Sequence, residues 1–155
     1  MIFYDKANII PTFLQVSGTD MQVEHCALGT IRIRNISGQE VYEIFDYCSI
    51  DEIGGKSGKD FVYIPVKTSI AFLRICRCYN FIPFIIHSHL INCENGEPVS
   101  YSEQDEKYMK KFSIQAQLYN IPLCIFAVIN QHSVRFRRYM ISGSSLEMED
   151  EVIYE

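Results

Sequence analysis

The sequence lacks the features that would place it in several common classes. Its longest apolar runs, at 81–86 and 121–129, are too short to cross a bilayer as a helix. The first residues include an early acid, Asp5, and no sustained apolar segment, so we expect no signal peptide and no membrane partner. Internal repeats and low-complexity stretches are missing too. At 155 residues the chain is long enough to bury a core within one domain.

Paired cysteine motifs are also missing. The six cysteines include no CxxC pair, and all but Cys93 lie in or beside apolar segments. We interpret them as reduced, mostly buried thiols of a cytoplasmic protein rather than as a disulfide framework. A thiol nucleophile needs a partnered base, and the sequence supplies none at a recognisable spacing. Cys93, in a polar loop, could approach a nearby metal ion.

Basic charge is scarce. Fourteen Lys and Arg stand against nineteen Asp and Glu, for a net charge of −5. This balance argues against nucleic acid as the main partner. The run at 135–139 (RFRRY) alternates like a strand, and we interpret its arginines as a solvated face.

The residue patterns that are present predict a mixed α+β fold. Period-2 alternation and short apolar runs predict strands, and helical spacing together with a serine cap predicts helices. We expect strands at 26–34, 41–50, 84–89, 123–129 and 134–141, and helices at 67–79 and from Ser102 onward. The last of these strands would close a single domain over residues 1–142. Residues 143–155 are acidic and poor in core-forming side chains, and we expect part of this tail to be mobile.

Two histidines and an aspartate form the most informative pattern in the chain. His87 and His89 end an apolar strand, where residues two apart point to the same face. Asp105 follows a loop and falls in the first turn of the helix that begins at Ser102. Three protein ligands leave a fourth position for water, as in a catalytic rather than a structural zinc site. A general base is also required, and Glu24 is the candidate.

Interpretations without a metal are available for each of these residues. Ser102 followed three residues later by an acid resembles a helix capping box. A lone histidine near a strand end is more often structural, although two buried imidazoles need partners. Glu24, which is flanked by apolar residues, could equally be the exposed end of a helix.

These segments resemble a known family. The run HSH at 87–89 followed by SEQD at 102–105 is similar to the JAMM motif, HxH followed by SxxD, of JAB1/MPN/Mov34 metalloproteases. The run EHCALG at 24–29 looks like the segment that carries the family's catalytic glutamate. The three segments occur in the family's order, and the resemblance covers residues 11–141. A deaminase is disfavoured, because its H-x-E and P-C-x-x-C signature is absent.

The resemblance implies a fold, an activity and a set of roles. Residues 1–142 would be one JAB/MPN metalloprotease domain with a cytidine-deaminase-like fold, a curved mixed sheet flanked by helices. His87, His89 and Asp105 would hold one Zn²⁺, Glu24 would be the general acid/base, and Ser102 would stabilise the oxyanion. Family members cleave after the C-terminus of a ubiquitin-like protein, and small stand-alone prokaryotic relatives work beside E1-like and E2-like enzymes.

Three departures from the family pattern concern the substrate rather than the ligands. Leu90 stands in place of the usual proline, Ala27 in place of a glycine, and twelve residues separate His89 from Ser102. Two further functions therefore stay open at this point: a non-catalytic MPN-type binding module, and a JAMM hydrolase of small peptide conjugates.

Overall fold

The structure is a computed structural model that describes residues 2–19, 24–58, 62–89, 101–130, 133–142 and 145–153. Within these residues the chain forms nine strands, three α-helices and one short 3₁₀ helix at Ile50–Ile53. The strands are β1 Ile2–Asp5, β2 Cys26–Ile36, β3 Gln39–Ser49, β4 Lys56–Ser57, β5 Val62–Tyr63, β6 Ile82–Ser88, β7 Leu123–Ile129, β8 Val134–Ser142 and β9 Ser145–Ile153. The helices are α1 Ile9–Thr19, α2 Val66–Tyr79 and α3 Glu103–Gln117.

Seven strands form one mixed sheet in the order β1-β3-β2-β6-β7-β8-β9. The pairs β1–β3 and β6–β7 are parallel, and the remaining neighbours are antiparallel. β2 and β3 correspond to the strands predicted at 26–34 and 41–50, and they pair as an antiparallel hairpin. Its two turn residues, Ser37 and Gly38, both have positive φ (53° and 83°), as a two-residue turn matched to the strand twist requires.

The two faces of the sheet carry separate cores. On one face, α1 packs over alternate residues of β2, β6 and β7, including Ala27, Phe84 and Ile125. On the other face, α2 and α3 cover the intervening residues, such as Leu28, Ile85 and Phe126. Each central strand therefore buries both sets of its side chains, which explains the continuous apolar runs in the sequence. The predicted mixed α+β class is confirmed.

The chain beyond residue 142 differs from the prediction. We expected the strand at 134–141 to be the last, but β9 follows it and pairs antiparallel with β8 along Ser145–Ile153. The described part of this segment is therefore a strand, and the domain boundary at 142 stays a prediction. An edge strand can be held by backbone hydrogen bonds alone. Such a strand needs no core-forming side chains, so its sequence shows no apolar pattern. The register places Asp150 and Glu149 opposite Arg137 and Arg138.

None of the helices in the described part of the chain has the length and apolar character needed to span a bilayer.

Candidate metal centre

The two histidines lie at the end of β6, on the sheet face that α2 and α3 cover. His87 is the register partner of Cys26 on β2, and the backbone N–H of His89 donates to the carbonyl of Ile129 at the end of β7 (3.0 Å). Ser88, between the two histidines, lies on the opposite face of the strand and is 2% exposed. The neighbouring strands therefore fix the backbone on both sides of the histidine pair.

The third group comes from the start of α3. Ser102 is the N-cap, and its Oγ accepts a hydrogen bond from the backbone N–H of Asp105 (3.1 Å). The Asp105 carboxylate accepts one in return from the backbone N–H of Ser102 (2.8 Å), which completes a capping box. The capping interpretation is thus correct, and it also orients the Asp105 carboxylate toward the histidines.

The polar atoms of these three side chains converge on one point. His87 Nε2 lies 3.0 Å from His89 Nε2 and 3.1 Å from Asp105 Oδ1. His89 Nε2 lies 2.9 Å from Asp105 Oδ2. An imidazole nitrogen has a single in-plane position for a proton or a lone pair, so it makes one directed hydrogen bond. No assignment of protons therefore satisfies all three contacts at once.

A cation at the centre of this triangle resolves the conflict. Both Nε2 atoms could then direct lone pairs inward, and the carboxylate would balance part of the charge. Tetrahedral zinc with ligands at about 2.0–2.1 Å requires ligand atoms about 3.3 Å apart, close to the spacing seen here. Among the residues that the structure describes, His87, His89 and Asp105 are the group that could hold a metal ion.

The electrostatics of Asp105 favour its charged form. Burial alone would raise the pKa of this carboxyl group. The hydrogen bonds from His87 and His89, the charge of His87 and the backbone N–H of Ser102 outweigh burial and hold the pKa well below its usual value. Asp105 is therefore an anion at neutral pH, as a metal ligand must be.

A single cleft of about 510 Å³ contains all five residues that the sequence singled out. Glu24, His87, His89, Ser102 and Asp105 line it together. The backbone N–H of Glu24 donates to the carbonyl of Gly58 (2.9 Å), which fixes the chain just before β2. Apolar side chains complete the walls: Val62, Ile64, Ile85, Met109 and Phe126. The arrangement can hold a cation beside a carboxylate and a hydroxyl, in a groove with apolar sides.

The cysteines near this cleft are not suited to nucleophilic chemistry. Cys26 lines the cleft but is almost fully buried, and burial followed by the charges of Glu24, Asp51 and Asp105 raises its pKa far above the usual value. Burial likewise raises the pKa of Cys76 and of Cys124 to about 12 each. These thiols stay protonated and unreactive. Cys93, Leu90 and the rest of the loop at 90–100 lie outside the described residues.

Sequence reasoning missed two features that support the site. Ser88 Oγ accepts a hydrogen bond from the backbone N–H of His25 (2.8 Å), which ties the residue after Glu24 to the histidine strand. The interpretation of the arginines as a solvated face was wrong for Arg137, which is buried and pairs with Glu106 on α3. The position of Ser88 between the two histidines was a usable signal. The Arg137 contact was not readable, because its partner is 31 residues away.

Comparisons with known proteins add little to this site. No protein-family model and no curated protein matches the sequence. Among solved structures, the chain is similar to the Trichoplax adhaerens STIL N-terminal domain, with 10% sequence identity and a TM-score of 0.34. The match covers 89% of this chain and 40% of that one. A TM-score of 0.34 does not establish a shared fold or function. Any assignment of function therefore depends on the geometry of the cleft.

Proposed function

We propose that this protein is a zinc-dependent peptidase that cleaves a peptide or isopeptide bond after the C-terminus of a ubiquitin-like protein. The observation that carries the proposal is the convergence of His87, His89 and Asp105 in a cleft that also contains Glu24 and Ser102. The mixed sheet with helices on both faces is compatible with the JAB/MPN fold that the motif resemblance implies.

The metal ligands have separate duties in this proposal. His87 and His89 would bind one Zn²⁺ as neutral imidazoles, and Asp105 would supply the anionic ligand. A bound zinc ion would polarise the scissile carbonyl and bring the pKa of a coordinated water to about 7. The capping box keeps the Asp105 carboxylate in place, because Ser102 N–H donates to the same oxygen that contacts His89.

Glu24 and Ser102 are the catalytic residues of the proposal. Glu24 would take a proton from the attacking water and pass it to the leaving amine, so that it ends the cycle unchanged. The Ser102 oxygen accepts the Asp105 N–H, which leaves the hydroxyl hydrogen available for donation. That hydrogen can be aimed at the oxygen that becomes negative as the carbonyl is attacked.

The shape of the cleft suits an extended tail. β5 (Val62–Tyr63) belongs to a two-stranded ribbon, and Val62 and Ile64 line one wall of the cleft. A peptide lying along this wall could pair its backbone with a strand edge while its side chains contact apolar residues. The choice of a ubiquitin-like tail depends on the motif resemblance. E1-like and E2-like enzymes of the same system are the further partners it implies.

An activity assay tests the proposal directly. The substrates would be an isopeptide-linked ubiquitin-like dimer and a ubiquitin-like tail with a C-terminal fluorogenic amide. Zinc-loaded wild type should cleave at least one of them. Glu24→Gln should keep one zinc per chain and lose about 100-fold or more in rate, the usual share of a general base. Glu40→Gln, an exposed carboxylate on β3 that does not line the cleft, is the matched control and should retain full rate.

The possible failures of this assay have different meanings. Equal rates for Glu24→Gln and wild type would remove Glu24 from the mechanism. Zinc binding without cleavage, together with tight binding of the intact ubiquitin-like protein, would indicate a binding module. Cleavage of short conjugates only would indicate a small-peptide hydrolase. If cleavage is seen, Glu24→Ala can trap the natural substrate for identification by mass spectrometry.

A further inference from the structure

A buried arginine joins the far end of the sheet to the start of α3. Arg137 lies on β8, and its side chain is only 5% exposed. Its guanidinium donates to Glu106 Oε1 (3.0 Å), and Glu106 directly follows the candidate ligand Asp105. A buried arginine needs a charged partner, because an unpaired charge in the interior is costly. Glu106 can be that partner only when α3 packs against β8.

An aromatic ring completes the contact. The guanidinium carbon of Arg137 lies 4.2 Å from the centre of the Tyr101 ring. The Tyr101 hydroxyl donates to the backbone carbonyl of Arg135 on β8 (2.7 Å). The hydroxyl end of the Tyr101 side chain is therefore fixed to the sheet. Tyr101 immediately precedes the N-cap Ser102. Residues on both sides of the Ser102–Asp105 capping box are therefore attached to β8.

We propose that Arg137, Glu106 and Tyr101 form an α3 clamp that positions Asp105 and Ser102 against the two histidines. The inference rests on the proposed function, because it assigns these three residues to the support of the same site. They are positioning residues, since they would act through Asp105 and Ser102 and not on the metal or the substrate. The histidines are held by β2 and β7, and α3 would be held by the clamp, so the clamp sets the distance between the two halves of the site.

Two physical roles of Arg137 make opposite predictions for metal binding. If Arg137 acted only through its charge, removing it would strengthen zinc binding, and removing the Glu106 charge would weaken it. If the pair acts by position, removing either residue weakens zinc binding, because the start of α3 is released in both cases. The signs of the two effects therefore distinguish the roles.

The experiment measures zinc affinity by competition with a chromophoric chelator in Arg137→Met, Glu106→Gln and the double variant. Each single variant should bind zinc about 10- to 100-fold more weakly, the range found when residues that support metal ligands are removed. The double variant should be no weaker than the worse single variant, because the two residues act through one contact. Arg137→Lys should recover part of the loss, since it keeps a cation beside Glu106.

Matched controls lie beside each residue. Arg138→Met changes the next arginine on β8, which contacts the Tyr42 hydroxyl instead of α3. Glu103→Gln removes another acid from the first turn of α3, so it matches the loss of a favourable charge near the helix N-terminus. Both controls should leave zinc affinity within about twofold of wild type.

The results separate this inference from the proposed function. Wild-type zinc affinity in both clamp variants would overturn the clamp and leave the peptidase proposal intact, as would tighter binding in Arg137→Met. A wild type that binds no zinc would overturn the proposed function instead. Should Arg137→Met fail to fold, Glu106→Asp decides the question, because it keeps the negative charge at a half-exposed position but shortens the reach to Arg137. Weaker zinc binding in Glu106→Asp would then support the clamp, and wild-type affinity would overturn it.

Discussion

At the scale of single residues, Asp105 has the most demanding position in the chain. Its carboxylate contacts both histidines and also accepts the backbone N–H of Ser102. One side chain therefore serves the helix and the candidate metal site. A cap alone would not require two imidazoles at its oxygens, and a metal ligand alone would not require the backbone contact.

Two substitutions of Asp105 separate these roles. Asp105→Asn keeps an oxygen for the Ser102 N–H but loses the negative charge, whereas Asp105→Ala loses both. We expect zinc occupancy, measured by elemental analysis, to fall strongly in both variants. Thermal unfolding of the zinc-free proteins should show a loss of about 1 kcal/mol for Asp105→Ala, typical of a helix cap, and a smaller loss for Asp105→Asn. Full zinc occupancy in Asp105→Ala would contradict its role as a ligand.

Glu43 gives a prediction about pH that is independent of the cleft. Burial would raise the pKa of its carboxyl group, but hydrogen bonds from Arg32 and Arg34, with their charges, outweigh burial and lower it. A carboxyl group whose pKa is lower in the folded state stabilises the fold above its unfolded pKa, near 4.5, and loses that contribution as pH falls below this value.

The comparison of wild type with Glu43→Gln tests this sign. Denaturant unfolding should show wild type more stable by about 1.5–3 kcal/mol at pH 7, the range for hydrogen bonds to charged groups. The difference should stay constant down to about pH 5 and shrink below pH 4.5. A difference that grows as the solution is acidified would contradict the assignment.

At the scale of secondary structure elements, the site depends on how β2 is joined to β6. The backbone N–H of Ser88 donates to the carbonyl of His25, and the N–H of His25 donates to Ser88 Oγ. In the hydrogen-bond ladder between β2 and β6, Ser88 Oγ thus accepts the bond that a backbone carbonyl normally accepts. Beyond Ser88 the chain pairs with β7, through the backbone N–H of His89 and the carbonyl of Ile129.

Ser88→Ala tests the importance of that contact. The variant removes the Ser88 acceptor of the His25 N–H at a partly buried position, which costs about 1–3 kcal/mol of unfolding free energy. Glu24 lies two residues before β2 and next to His25, so kcat should fall while zinc occupancy is retained. Ser88→Thr keeps the hydroxyl and is the control. Wild-type kcat in Ser88→Ala would show that the backbone pairing alone fixes Glu24.

The elements that the sequence predicted are those specified by local patterns. Residues two apart on a strand share a face, which placed His87 and His89 together, and the serine and acid three residues apart marked the start of α3. The missed elements depend on partners far along the chain. β9 is an edge strand defined by its pairing with β8, and Arg137 is buried because Glu106 and Tyr101 lie over it. No local pattern specifies either.

At the scale of the whole molecule, the candidate site lies where three parts of the fold meet. The segment just before β2 supplies Glu24, and the end of β6 with the residue after it supplies the histidines. The N-cap and first turn of α3 supply Ser102 and Asp105, and the β4–β5 ribbon supplies a wall of the cleft. A cation held by β6 and α3 would link the sheet to a helix packed on it. Zinc binding should therefore stabilise the folded state as a whole, since the ligands meet only when the protein is folded.

Zinc-dependent stability tests this link. At a free zinc concentration 100 times its Kd, the fold should gain about 2.7 kcal/mol, seen as a rise in Tm that a chelator reverses. Asp105→Ala should show no rise under the same conditions, whereas Arg138→Met should respond like wild type. An equal rise in wild type and Asp105→Ala would mean that zinc acts elsewhere on the chain.

The most direct test of the central claim is zinc X-ray absorption spectroscopy on the purified, zinc-loaded protein, with the metal content measured in parallel. The account predicts one zinc per chain, with two imidazole nitrogens and a carboxylate oxygen at about 2.0–2.2 Å and no sulfur ligand. Replacing His87 with alanine should remove one imidazole from the coordination shell. Sulfur at about 2.3 Å, or a wild-type protein that retains no zinc after gel filtration, would contradict it.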